Sequence, residues 1–219
     1  MRLGSLSWPQ VDAPLLLLPL GATEQHGPHL PLDTDTVIAA AIADAVAARR
    51  PGAVVAPPLP YGASGEHAGF AGTLSLGNRA LEAAVVELTR SADHFDGIIL
   101  VCWHGGNAEP VARAVRRLRG EGRTVAAWQP SLAGGDLHAG RTETSLMLAL
   151  APHLVGERRP AEALVPAGEL LPVLRERGVK AVSASGVLGD AAGATAGEGE
   201  ALLGRLVADL TRLVDATAS

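Results

Sequence analysis

The sequence predicts an α/β fold, with a mostly parallel sheet and helices on both of its faces. Three observations carry that prediction. Two near-continuous apolar runs, 14–20 and 97–103, have the composition of strands buried on both faces. Segments with helical periodicity and high alanine content alternate with the strands. Residues able to bind metal follow strands rather than precede them, and ligands in such sheets bind beyond the carboxyl ends of the strands.

The first strand is expected over 14–20, inside the apolar run Ala13 to Leu20. That run is too short to span a bilayer, has no basic region directly before it and is approached through Asp12. It therefore reads as a buried strand and not as a signal peptide. A helix follows over 36–49, closed by Pro51 and Gly52. A short second strand, 53–57, stops at Pro57 and Pro58. The glycine-rich stretch 61–77 reads as a long loop, and long loops inside compact domains are usually functional. A helix is expected over 79–93, a strand over 97–103, a basic amphipathic helix over 108–119 and a strand over 124–128. Another helix begins at Glu143 and runs to Leu150. Beyond it the pattern gives a helix near 167–177, a strand near 179–184 and a closing helix near 200–215. No repeat or linker divides the chain, so 1–219 is expected to form one domain.

Composition narrows the function classes. The 219 residues are 47% hydrophobic and 19% charged, within the globular range. A formal net charge of −5 gives no basic footprint for nucleic acid and no polybasic membrane anchor. Cys102 is the only cysteine, which excludes an intrachain disulfide and suits a reducing compartment, so a cytoplasmic location is expected.

The densest chemistry lies between Gly21 and Thr36, where Glu24, His26, His29, Asp33 and Asp35 fall close together after the first strand. Histidines mixed with carboxylates in that position read as a metal site. Glu24 and His26, two residues apart, share one face of an extended segment. Asp35 stands near a helix N-terminus, where it either caps the helix or bridges two cations. His29 is a ligand-orienting residue or a packed histidine, and Asp33 a turn or cap residue. His104-Gly105-Gly106-Asn107 forms a strand-to-loop turn in which His104 can ligate and Asn107 can cap the next helix. Cys102 reads as a core residue. In Asp136 to Ser145, His138 is the candidate for proton transfer, and Glu143 either completes a metal shell or pairs with the helix dipole. Glu66 and His67, in Tyr61 to His67, line the site or stand exposed on the loop. The sequence has no Gly-x-Ser-x-Gly elbow and no Walker loop.

The segments Gly21 to Thr36, Tyr61 to Leu76, Trp103 to Asn107 and His138 to Ser145 resemble the creatininase (creatinine amidohydrolase) family, in the family's order. The resemblance implies a three-layer α/β/α domain, a two-metal centre, hydrolysis of carbon–nitrogen amide bonds and a homo-oligomer. Carried over by position, it implies that Glu24 and His104 hold one metal, His26 the other, Asp35 bridges them and His138 moves protons. Zinc, iron(II) and manganese all suit such shells. Two departures matter. Creatininase has Tyr-Glu directly after the histidine matching His104, and that glutamate is a ligand; here Gly105 and Gly106 stand there, so the second metal lacks a ligand unless Glu143 supplies it. Creatininase also has a Trp-Asp pair before its proton-shuttling histidine, where this chain has Gly134-Gly135-Asp136. Within the family, the Tyr-Gly-x-Ser-Gly-Glu-His loop and the Asp-x-His-Ala-Gly-Arg-Thr-Glu-Thr-Ser string are most similar to the mycofactocin-system branch. That likeness implies a peptidase releasing a C-terminal Val-Tyr dipeptide from a modified precursor peptide. Hydrolysis of creatinine or a formamide, and a non-catalytic metal-binding scaffold, are the rival readings.

Overall fold

The computed structural model describes residues 1–12, 14–130, 135–164 and 167–217. Ala13, at the head of the first apolar run, and Gly134, in the stretch compared with the Trp-Asp pair, lie outside the described residues. The central sheet has four strands: β1 (Leu15–Leu20), β2 (Ala53–Val55), β3 (Gly97–Cys102) and β4 (Val125–Trp128), in the order β2-β1-β3-β4. All three pairings are parallel.

The leucine run of β1 is explained by its central place, because every residue from Leu15 to Leu20 is buried. Successive side chains point to opposite faces. Leu15 and Leu17 enter one core, with residues of α1 (Thr34–Ala47), α4 (Arg141–Leu150) and α6 (Ala196–Thr217). Leu16, Leu18 and Leu20 enter the other, with α2 (Gly77–Arg90) and α3 (Ala108–Gly120). The result is three layers, α/β/α, as expected. Pro19 is tolerated within this central strand because its carbonyl, and hence its nitrogen, faces the β2 side beyond the end of β2; the carbonyl there accepts the Leu59 N–H at 2.9 Å.

From β1 the chain crosses to β2 on one side, and from β2 it returns to β3 on the other. The direction of travel thus reverses between β1 and β3, and the crevice beyond their carboxyl ends is where such sheets bind ligands. Both ligand-rich segments, Glu24 onward and His104 onward, leave the sheet there.

The expected strand at 179–184 is instead a 3-10 turn, Val179–Ala181. Gly178 has φ +75, and a Cβ on it would lie 2.8 Å from the Glu66 carbonyl, so the chain turns against the 61–77 loop and does not extend. Lys180 Nζ donates to the Gly69 carbonyl at 2.9 Å, fastening the two segments. The strand pairing in this part of the chain belongs to β5 (Ala161–Glu162) and β6 (Gly189–Asp190), which are antiparallel. The helix near 167–177 is present as α5 (Ala167–Arg177). Asn107 precedes α3 without capping it through its side chain. Its Oδ1 accepts the Ala63 N–H at 2.9 Å and its Nδ2 donates to the Gly21 carbonyl at 3.0 Å, joining the long loop to the end of β1.

Candidate metal centre

Six side chains named from the sequence converge beyond β1 and β3: Glu24, His26, Asp35, His104, His138 and Glu143. Their order in space follows from the fold. Glu24 and His26 lie on the segment leaving β1, Asp35 in the first turn of α1, and His104 just after β3. Glu143 sits in the first turn of α4, which His138 precedes. Gly21 permits the approach of α1: a Cβ there would lie 2.5 Å from Thr36 Cα and 2.6 Å from Thr36 N.

Glu24 and His26 are fully buried and Asp35 is 2% exposed, so their charges have no solvent to screen them. His26 Nε2 lies 3.3 Å from Asp35 Oδ1 and 3.8 Å from Glu143 Oε2. His104 Nδ1 lies 3.3 Å from Glu24 Oε1 and 3.5 Å from Asp35 Oδ2. These atoms form two groups, Glu24–Asp35–His104 and His26–Asp35–Glu143, with Asp35 in both. A third group, Glu24–His26–His138, overlaps them.

The residues fit a pair of divalent ions on three counts. Both oxygens of Glu24, Asp35 Oδ2 and His26 Nε2 are buried without a hydrogen-bond partner. Such orphaned groups are costly unless something else satisfies them. Two ligand atoms each about 2.1 Å from a tetrahedral ion stand roughly 3.4 Å apart, which is the scale of the separations here. Finally, the outer nitrogens of both histidines are already committed. His26 Nδ1 donates to the Glu24 carbonyl at 3.1 Å and His104 Nε2 to the Ala63 carbonyl at 3.1 Å. This leaves His26 Nε2 and His104 Nδ1 facing the carboxylates, the arrangement that orients metal-binding imidazoles.

Electrostatics agree. Burial alone would lower the pKa of His26, but Asp35, Glu143 and Glu24 push it up to about 10. Burial opposes, and Glu24, Asp35 and Glu66 produce, the same rise to about 10 at His104. Asp35 is raised above the usual carboxylate range by burial and by Glu24. A cluster that draws protons this strongly is short of positive charge.

His138 differs. Its Nε2 donates to the Gln25 carbonyl at 2.7 Å, which turns Nδ1 toward Glu24 Oε1, 3.7 Å away. Burial and the neighbouring His26 lower its pKa, which favours the neutral ring. His29 stands behind the centre, with Nε2 2.8 Å from Thr144 Oγ1, and burial with Arg159 lowers its pKa to about 4. Asp33 occupies the N-cap position of α1 without a side-chain cap bond.

The sequence leaves the roles of His67 and Glu66 open and carries no local signal for Gln25 or Trp103. His67 is buried, not exposed on the loop. The Gln25 amide donates to its Nδ1 at 2.8 Å, and its Nε2 lies 3.2 Å from Glu24 Oε1. Glu66 approaches Gly106: a Cβ on that glycine would meet Glu66 Oε1 and His104 Nε2 at 2.5 Å, and the Ala63 carbonyl. With the loop in this position no side chain fits at 106. The Glu-His pair after a Ser-Gly in a long loop was the only available signal.

Several known proteins are similar to this chain. The family model for creatinine amidohydrolase, Creatininase, matches residues 4–214. The mycofactocin precursor peptide peptidase of Mycobacterium ulcerans (strain Agy99) is 52% identical over 206 residues, covering 90% of this chain and 82% of its own. The creatinine amidohydrolase of Pseudomonas putida is 31% identical, covering 91% and 90%. Among solved structures, the creatininase described as Mn is similar with TM-score 0.77 and 30% identity, over 97% of this chain and 96% of its own. A glutamate-to-glutamine mutant creatininase of Zn-Zn type gives TM-score 0.76 at the same identity and coverage. On its sequence and its three-layer fold alike, the chain belongs to the creatininase family.

Proposed function

We propose that this chain is a single-domain, metal-dependent peptidase that cleaves an amide bond near the C-terminus of a modified precursor peptide, releasing a Val-Tyr dipeptide. The observation that carries the reading is the pair of ligand groups sharing Asp35, buried except for the partly exposed Glu143. The relative at 52% identity supplies the substrate class, being a mycofactocin precursor peptide peptidase. Gly106, where the long loop leaves no room for a side chain, separates this site from the creatinine-type shell.

In this reading Glu24 and His104 would hold one ion and His26 and Glu143 the other, with Asp35 belonging to both groups. Manganese and zinc are the ions of the related creatininases, and the mixed histidine and carboxylate donors here suit either, or iron(II). When bound, such a pair polarises an amide carbonyl and supplies nucleophilic water near neutral pH. The protein does the rest. The His26 and His104 rings are held by backbone carbonyls, so their inner nitrogens need no reorientation. His138, fixed through Nε2, presents Nδ1 as the atom that takes a proton and returns it to the leaving nitrogen. Burial of the carboxylates keeps bulk water from screening these interactions.

The test is to assay the protein, stripped by chelation and reloaded with zinc or manganese, on a modified precursor peptide, creatinine and a formamide in parallel. Peptide cleavage lost on chelation and restored by metal is expected. Turnover of creatinine or the formamide with the peptide intact would overturn the substrate reading. Metal uptake with no turnover of any of the three would favour the scaffold.

A further inference from the structure

Two of the ligand groups compete for one atom. His26 appears both with Asp35 and Glu143 and with Glu24 and His138, yet only its Nε2 faces the cluster, because Nδ1 bonds the Glu24 carbonyl. An ion bound by His26 therefore has Glu143 in one group and His138 in the other as its candidate further partner. If it took His138, that ring would lose its free nitrogen and could not carry protons.

The surroundings of Glu143 bear on the choice. Trp103, the residue after β3, is buried, and its indole Nε1–H donates to Glu143 Oε1 at 2.9 Å. The Ala139 N–H donates to Glu143 Oε2 at 2.6 Å. Ala139 is fully buried and has φ +50, a region that residues with a Cβ rarely occupy. That turn, directly after His138, is what aims its N–H at the carboxylate. Each Glu143 oxygen thus has one fixed donor, and a carboxylate oxygen has lone pairs to spare for an ion. Hydrogen bonds to a carboxylate are among the stronger ones a protein makes.

We propose that Trp103 is a positioning residue: with the Ala139 N–H it holds Glu143 beside His26 and Asp35, commits the second ion to that group, and leaves His138 free for proton transfer. The proposal rests on the two-metal reading above. It concerns the division of labour between Glu143 and His138, which is separate from whether the substrate is a peptide.

Zinc titration with metal analysis after dialysis tests it, on the wild-type chain, Trp103→Phe and His138→Ala. Wild type is expected to take two ions. Trp103→Phe, which keeps a ring but loses the N–H, should bind the first normally and the second about 10- to 100-fold more weakly. His138→Ala should bind both as wild type does. Undiminished second-site affinity in Trp103→Phe, or loss of the second ion in His138→Ala, would overturn the proposal. Should circular dichroism show Trp103→Phe unfolded, His138→Ala still decides between Glu143 and His138, since the arrangement with His138 as ligand requires that variant to lose the ion and would overturn the proposal. Fewer than two ions on wild type would instead overturn the two-metal reading, and this proposal with it.

Discussion

Asp35 points one carboxyl oxygen toward His26 and the other toward His104, so it is the residue on which both halves of the cluster depend. Asp35→Asn keeps the shape but removes the charge and one oxygen. Metal content should fall below two per chain, and an unchanged metal analysis would remove the bridging role. His138→Ala should behave in the opposite way, keeping its metal while turnover drops by about 10²- to 10⁴-fold; full activity would exclude His138 from the mechanism. Protonation adds a third expectation. His26 and His104, held near pKa 10 without metal, carry protons at neutral pH on nitrogens that an ion must use. Metal uptake therefore releases protons, and affinity should rise with pH through the neutral range. Calorimetric titration in buffers of different ionisation enthalpy reads that release directly, and affinity that stays flat with pH would contradict it.

At the scale of elements, the site is an outcome of how α1 seats on β1. Gly21→Ala should force the first turn of α1 away from the strand, because the added Cβ meets Thr36 backbone atoms. A loss of roughly 1–3 kcal/mol in stability is expected from such overpacking, together with weaker metal binding, since Asp35 moves with the helix. Urea unfolding and metal titration on the same sample test the pair; lost stability with normal metal affinity would mean that α1 adjusts without moving Asp35. The elements differ in how far the sequence exposed them. The leucines of β1 and the apolar run of β3 were legible because a central parallel strand is apolar on both faces. Glu24, His26, Asp35 and His104 were legible because they sit within a few residues of strand ends or a helix start. Trp103 and Gln25 were not, and for His67 the sequence left open whether it lines the site. Their roles come from partners 40 or 42 residues away in the chain, which no local period records. The apolar residues around Val179–Ala181 resemble a strand in sequence, whereas Gly178 and the loop beneath it decide the course of the turn.

For the whole molecule, the buried carboxylates make folding and metal binding parts of one equilibrium. An ion that binds only the folded chain, present at 100 times its dissociation constant, stabilises by about 2.7 kcal/mol. For a chain of this size that raises the unfolding midpoint by roughly 5–11 °C. Calorimetric scans with zinc or manganese and with chelator should differ by that amount, and coincident scans would show that the cluster is not a metal site. The switch point between β1 and β3 explains why one fold gathers ligands from segments so far apart: it is the place where loops from both directions of the sheet meet. The activity that this centre is proposed to carry can be read most directly by mass spectrometry of a modified precursor peptide incubated with the metal-loaded protein. Release of a C-terminal Val-Tyr dipeptide, absent from the chelated control, is the expected result. A peptide that stays intact while the protein holds two metals would contradict the account.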